Sequence, residues 1–266
     1  MLRVLPVVGS LIDKGILSKM ARFSLISEKM STTSSLPFRT SNPLNKKLPG
    51  MRVEVMKVED TSEVLQYLRK NFFKDEPLAI AIQLLESEND RCKPLEDYSL
   101  KDIPQGVSVK AVNSEGRIVG VVMGAVVNRH QSEQDTEDWS IGCDHPKFKK
   151  ILHFLYQCEK ACDIFSIYPD INSLGDLRII SVDKSYQGQE VGRMLCDKFF
   201  EIAQKSKLDL VKIACTSEYS SKLADKFGCV ENFSVRYEDY KDNGEQVFHS
   251  DPPHTTFRIK SLRLKK

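Results

Sequence analysis

The residues whose types and spacing suit chemistry best fall within 177–228. An apolar run, Leu177–Val182, leads through a polar turn, Asp183–Tyr186, into Gln187-Gly188-Gln189-Glu190-Val191-Gly192. Val191, Leu195, Phe199 and Ile202 then recur at helical spacing. A glycine-bearing turn between strand and helix aims backbone N–H groups and a positive helix end at an anion, typically a phosphate. The G-x-G-x-x-G spacing of dinucleotide sites is absent, as is the Walker loop. A second group, Thr216, Ser217 and Ser220, follows another apolar run, Leu208–Cys215. Its hydroxyls can donate and accept protons, or simply cap the helix that begins there. Glu76, next to Pro77, reads on residue type alone as a solvated carboxylate at a helix end. Seven cysteines form no CxxC pair, and Cys158 and Cys162, one helical turn apart, lack His partners. They read as buried small hydrophobes, no metal is expected, and a reducing compartment suits them.

These groups need elements to hold them. Met51–Val58 alternates and predicts a first strand, followed by a helix with Asp60 or Thr61 as N-cap and Val64, Leu65, Leu68 and Phe72 on its apolar face. A second helix is expected over Leu78–Leu85, then a polar loop to Leu100. Gly106–Val112 and Arg117–Val127 predict a hairpin turning at Asn113–Gly116. Residues 128–144 read as loop, and Pro146 opens a helix with Phe148, Ile151, Leu152 and Leu155 on one side. After the central strand–turn–helix–strand–helix unit, which ends at Gly228, come Cys229–Tyr240, a turn at Lys241–Glu245 and a last strand from about Thr255 to Leu264. The order predicts an α/β protein with a mixed, mostly antiparallel sheet, a parallel β-α-β unit at its centre and flanking helices.

Composition narrows the function classes. With 41% apolar and 29% charged residues in 266, the chain reads as one globular domain, residues 51–266, plus an appendage, residues 1–50. The appendage holds eight Lys/Arg against two acidic residues, whereas the rest holds 31 against 35. A mildly acidic body suits a small cationic substrate better than nucleic acid, and no basic cluster with interleaved aromatics occurs. No apolar run is long enough to span a membrane. The Ser-rich, acid-poor appendage fits a mitochondrial presequence or a disordered extension of a cytoplasmic enzyme, and the second reading is preferred.

Several separated segments, in order, resemble the insect arylalkylamine N-acetyltransferases of the GCN5-related superfamily. They are Phe72-Phe73-Lys74-Asp75-Glu76-Pro77-Leu78, His145-Pro146-Lys147-Phe148-Lys149-Lys150-Ile151-Leu152, Tyr168-Pro169-Asp170 and Ser181-Val182-Asp183. The last is Asp239-Tyr240-Lys241 followed by Gly244-Glu245, Val247-Phe248 and Pro253-His254. The glycine turn is similar to the superfamily's Arg/Gln-x-x-Gly-x-Gly/Ala pyrophosphate loop, with Glu190 standing where glycine is usual. The likeness runs from about residue 51 to 264.

The resemblance implies the acetyltransferase fold and transfer of acetyl from acetyl-CoA to the primary amine of dopamine, serotonin, tyramine or octopamine, in amine inactivation and cuticle chemistry. It implies Glu76 as general base, with Asp75 its adjacent competitor, and Thr216 and Ser220 as the two hydroxyl residues that relay a proton or support the leaving thiolate. Tyr219 is a second candidate acid. It also implies Ile180, Ser181 and Val182 beside the pantetheine arm, and Gln187, Gly188, Gln189, Glu190, Val191 and Gly192 around the pyrophosphate. Tyr98, Leu155 and Asp176 are implied as amine-pocket positions, against readings as loop anchor, core leucine and strand-flanking aspartate. His145 and His254 read as structural, and a monomer is expected. Glu190 predicts weakened acetyl-CoA binding. A catalytically silent acetyl-CoA-binding module and an acetyltransferase for a polyamine stay open as alternatives.

Overall fold

The computed structural model describes residues 49–87 and 89–264, so nearly all of the expected appendage lies outside the described residues. The chain begins with β1 (Arg52–Val55), shorter than the alternating stretch suggests, and a 3-10 turn carries it into α1 (Thr61–Asn71). Next come α2 (Pro77–Ala81) and α3 (Lys93–Leu100). α2 stops before the expected Leu85, because Ile82 leaves the helix and Gln83 turns to φ 51°. α3 replaces part of the expected polar loop. Pro94 sits in its first turn, where a missing N–H costs nothing.

β2 (Val109–Val112) and β3 (Ile118–Asn128) form the expected antiparallel hairpin. The Asn113 side-chain oxygen holds its turn by accepting the N–H groups of Glu115 and Arg117 at 3.0 and 2.9 Å. A short helix, α4 (Arg129–Gln134), lies within the stretch expected as loop. α5 (Pro146–Cys162) follows, capped by His145, whose Nδ1 accepts the Phe148 N–H at 3.3 Å; this is the structural role expected of His145. A single turn, α6 (Ile164–Ile167), leads to the central unit: β4 (Ser173–Val182), α7 (Val191–Lys205), β5 (Leu210–Cys215) and α8 (Glu218–Lys226). The chain closes with β6 (Val230–Arg236), a small hairpin of β7 (Lys241–Asp242) and β8 (Glu245–Gln246), and β9 (Thr256–Arg263).

Seven strands form one sheet in the order β1-β2-β3-β4-β5-β9-β6. Among the described residues only β4 and β5 run parallel; every other neighbouring pair in the sheet is antiparallel. This is the expected mixed sheet. Side chains alternate faces along each strand; α1 and α5 pack on one side of the sheet, and α7, with α8 beside it, on the other. On the first side Val64, Leu68 and Phe73 pack against Val121, Met123 and Ile179. Further along that side, Phe148, Leu152 and Phe154 of α5 meet Leu174, Leu210, Phe257 and Ile259. Phe154 stacks edge-on with Tyr240, Phe248 and Phe257 at centroid separations of 4.7, 4.9 and 5.3 Å, an aromatic core worth more than its buried area alone. On the second side α7 lies so close to β3 that a Cβ on Gly124 would stand 2.3 Å from the Phe199 ring.

Two irregularities in β4 shape the site. Leu177 pairs with Gly124 and Ile179 with Met123, so Arg178 is an extra residue, a β-bulge. Pairing with β5 runs only from Leu174 to Leu177. Beyond it, Ile179–Val182 keep β3 on one edge and have no ladder to β5 on the other, although β5 itself continues to Cys215 along β9. The parallel pair therefore opens into a notch at the sheet's centre.

Candidate active site

Two sets of residues border this notch. The first is the carboxylate of Glu76 with the chain leaving β5. Glu76 is the N-cap of α2, and its Oε2 accepts the Ala79 N–H at 2.7 Å. Its other oxygen, Oε1, is buried without a hydrogen-bond partner among the described residues. Burial pushes the Glu76 carboxyl up; the N–H groups of Ala79 and Leu78 and the Thr216 hydroxyl oppose this without cancelling it. Glu76 and Thr216 are thus brought together from positions 140 residues apart. A raised, desolvated carboxylate with one free oxygen suits a proton acceptor. Asp75, by contrast, is exposed and pairs with Lys184 at 2.9 Å.

Ser220 is used differently. Ser217, not Thr216, caps α8: its Oγ accepts the Ser220 N–H at 3.0 Å, and the Ser220 Oγ donates to the Ser217 carbonyl at 2.9 Å. The Ser220 hydroxyl therefore closes the cap. Tyr219 is exposed and lies against His254, centroids 4.9 Å apart. His254 Nδ1 accepts the Glu218 N–H at 3.2 Å, the structural role expected of it, and burial lowers the ring's pKa, which keeps this nitrogen free to accept.

The second set lies deeper, where β4 and β5 are still paired and Asp176 faces Lys212. The Lys212 ammonium is buried, 2.6 Å from Glu159 of α5 and 3.4 Å from Asp176. Arg178, on the bulge, holds Asp176 at 2.9 Å and also pairs with Asp102. Burial pushes the Asp176 carboxyl up, but Lys212 and Arg178 more than offset it and hold it below the usual carboxylate range. Tyr98 of α3 sits edge-on to Phe148 at 6.2 Å, with the Arg178 guanidinium 6.0 Å from its ring centre. Arg178 thus joins Tyr98 and Asp176, while Leu155 packs, half-buried, against the α5-side core. Sequence reasoning missed Arg178, Lys212 and Glu159. The available signal was a lysine and an arginine inside otherwise apolar strand runs.

The turn before α7 has the geometry that an anion site needs. Gly188 lies at φ 74° and Glu190 at φ 64°, and no side chain caps the helix. The first-turn N–H groups of a 15-residue helix thus stay open to a ligand. Glu190 occupies a left-handed conformation that glycine adopts without strain, which explains physically why glycine is the usual residue there. Its carboxylate is exposed and stands 3.7 Å from Arg193. Gln187 and Gln189 bond back to the carbonyls of Val182 and Ser185 at 3.4 and 2.8 Å. Val191 is buried in the core, and a Cβ added at Gly192 would meet Val182 and Ile180 at ordinary contact distances of 3.6 and 3.8 Å. The Ser181 hydroxyl is tied to the Asn71 carbonyl and the Tyr67 hydroxyl, each at 3.2 Å, leaving its backbone as the part that can face the notch. Among the described residues no His/Cys/Asp/Glu group could hold a metal, and no helix is long and apolar enough to cross a membrane.

A mixed seven-stranded sheet whose central parallel pair splays beside a bulged strand and an open helix end is the GCN5-related N-acetyltransferase fold. Solved structures bear this out. Arylalkylamine N-acetyltransferase 2 from Aedes aegypti superposes with a TM-score of 0.76 at 28% identity, over 81% of this chain and 99% of that one. The polyamine N-acetyltransferase of Drosophila melanogaster, which forms N-acetylagmatine, gives 0.72 at 26%, over 80% and 100%. An agmatine N-acetyltransferase gives 0.72 at 25%, over 81% and 100%. No family model matches the chain. The likenesses support an N-acetyltransferase.

Proposed function

We propose that the protein transfers acetyl from acetyl-CoA to the primary amine of an arylalkylamine such as dopamine, serotonin, tyramine or octopamine. The observation that carries this reading is the buried, unpartnered Oε1 of Glu76 next to the Thr216 hydroxyl. An amine at neutral pH arrives as an ammonium and cannot attack until it loses a proton. Glu76 Oε1 accepts that proton, and its raised pKa brings it nearer the working pH, where a general base is most effective. The Thr216 hydroxyl then supplies a hydrogen bond to the departing sulfur. Acetyl-CoA supplies the acyl group as a thioester open to attack by an amine. The residues present fit it: the unladdered backbone of Ile180, Ser181 and Val182 suits the pantetheine amides, and the open N–H groups from Gly188 to Gly192 suit the pyrophosphate.

The likeness to agmatine and polyamine enzymes favours a second reading, acetyl transfer to a diamine. The charge arrangement disfavours it. Asp176 is already matched by Lys212 and Arg178, so a second ammonium beside it meets two cations. Tyr98 and Leu155 offer an aromatic ring a better neighbourhood. Thiol release from acetyl-CoA, measured with dopamine, serotonin, tyramine, spermidine and agmatine, tests the choice. The aromatic amines are expected to give the higher kcat/KM. Preference for spermidine or agmatine would establish the diamine reading, and silence across the panel with acetyl-CoA still bound would leave a binding module.

A further inference from the structure

One fully buried polar group touches the proposed machinery without belonging to it. Tyr237 follows β6 in a 3-10 turn and is completely inaccessible, its ring set among Phe154 and Phe248 at centroid distances of 6.0 and 5.8 Å. A phenol in such surroundings needs a partner for its hydroxyl. It donates to the Thr216 carbonyl at 2.7 Å.

Thr216 occupies the single step between two regular elements. β5 ends at Cys215, which still pairs with Arg258 of β9, and Ser217 already caps α8. Neither strand ladder nor helix fixes the Thr216 peptide, so the Tyr237 bond supplies the restraint. Threonine is β-branched, and a fixed backbone leaves it few side-chain rotamers. Anchoring the carbonyl therefore also directs the hydroxyl.

We infer that Tyr237 is a positioning residue: its hydroxyl holds the Thr216 carbonyl and so keeps the Thr216 hydroxyl against the Glu76 carboxylate. The inference rests on the acetyltransferase reading. Tyr237 touches no reacting atom and acts through Thr216. Without the hydroxyl, Thr216 no longer stabilises the ionised form of Glu76, and the base needs a higher pH to lose its proton.

The test is a double-mutant cycle on the full chain with Tyr237→Phe, Thr216→Ala and the pair, reading kcat/KM against pH with the best amine of the panel. Tyr237→Phe keeps the ring and its packing; near-ultraviolet circular dichroism checks that the aromatic core is intact. The expected result is a fall in kcat of roughly tenfold, on the scale of one hydrogen bond's net worth, with KM for acetyl-CoA unchanged. The acid limb of the profile moves to higher pH in each single variant, and Tyr237→Phe adds nothing once Thr216 is alanine. A Tyr237→Phe variant whose acid limb stays in place, or whose shift adds to that of Thr216→Ala, overturns the inference. Turnover by the unmodified chain with none of the amines overturns the acetyltransferase reading and this inference with it.

Discussion

Replacing Glu190 is expected to tighten acetyl-CoA binding, and the cause can be separated from any change in stability. Glu190 stands at φ 64° at the start of α7, its carboxylate exposed and 3.7 Å from Arg193. A left-handed backbone costs a residue with a Cβ about 1 kcal/mol relative to glycine. Glycine in turn loses roughly 0.5–1 kcal/mol through the greater freedom of its unfolded chain. These terms nearly cancel, so Glu190→Gly should leave the melting temperature almost unchanged. The charge term does not cancel. A pair of unit charges in bulk water interacts by about 1 kcal/mol at 4 Å, and less in inverse proportion to distance. At twice that separation, two pyrophosphate charges together contribute roughly 1 kcal/mol, about fivefold in Kd. Removing the carboxylate also leaves Arg193 with Asp197 alone, 3.9 Å away. Titration calorimetry should give both Glu190→Gly and Glu190→Gln a Kd about fivefold lower in dilute buffer, the gap closing at high salt because the charges are solvated. Unchanged or weaker binding by Glu190→Gln at low salt would refute the reasoning, since glutamine keeps the backbone strain and removes only the charge.

Three further outcomes follow from the same geometry. Lys212→Met takes the buried ammonium from Asp176, which is left with Arg178, and from the half-buried Glu159, and should destabilise the fold by about 3 kcal/mol in a denaturant melt. Ser217→Ala removes the side chain that caps α8 and should cost about 1 kcal/mol of stability, whereas Thr216→Ala should lower kcat with little change in melting temperature. The third concerns pH. Burial raises the Glu76 carboxyl above its ordinary 4.5, so the folded chain holds this proton more tightly than the unfolded one. The stability this contributes is complete below the unfolded value and lost as pH rises through the folded one. Glu76→Gln, which never ionises, should therefore melt at a higher temperature than the unmodified chain at pH 7–8.

The parallel unit was legible because each of its parts carries a local signal. Leu177–Val182 and Leu208–Cys215 are apolar runs of strand length, α7 shows its stripe at helical spacing, and Gly228 takes the φ 78° of a helix-ending residue. Helix α3 was not legible. Eight residues give barely two turns of periodicity, and Pro94 reads as a breaker when it is in fact a first-turn residue. The environment of Glu76 was hidden for a different reason: sequence shows a carboxylate beside proline, and only the tertiary fold removes its water and delivers Thr216. The ion chain through Asp102, Arg178, Asp176, Lys212 and Glu159 draws on two helix regions and two strands, and no spacing along the chain encodes it. The resemblance pointed to Asp176 as a pocket position; the two cations that match its charge became visible only with strand register.

The most direct test of the account is to measure kcat and acetyl-CoA affinity of Glu76→Gln side by side. Glutamine preserves the cap on the Ala79 N–H but takes up no proton. With the aromatic amine that the unmodified chain uses best, thiol release should fall by a factor of roughly 10²–10⁴ while the acetyl-CoA Kd stays the same. Turnover within about threefold of the unmodified chain, a loss far below what general-base catalysis supplies, would contradict the account, because the buried oxygen would then not be the base.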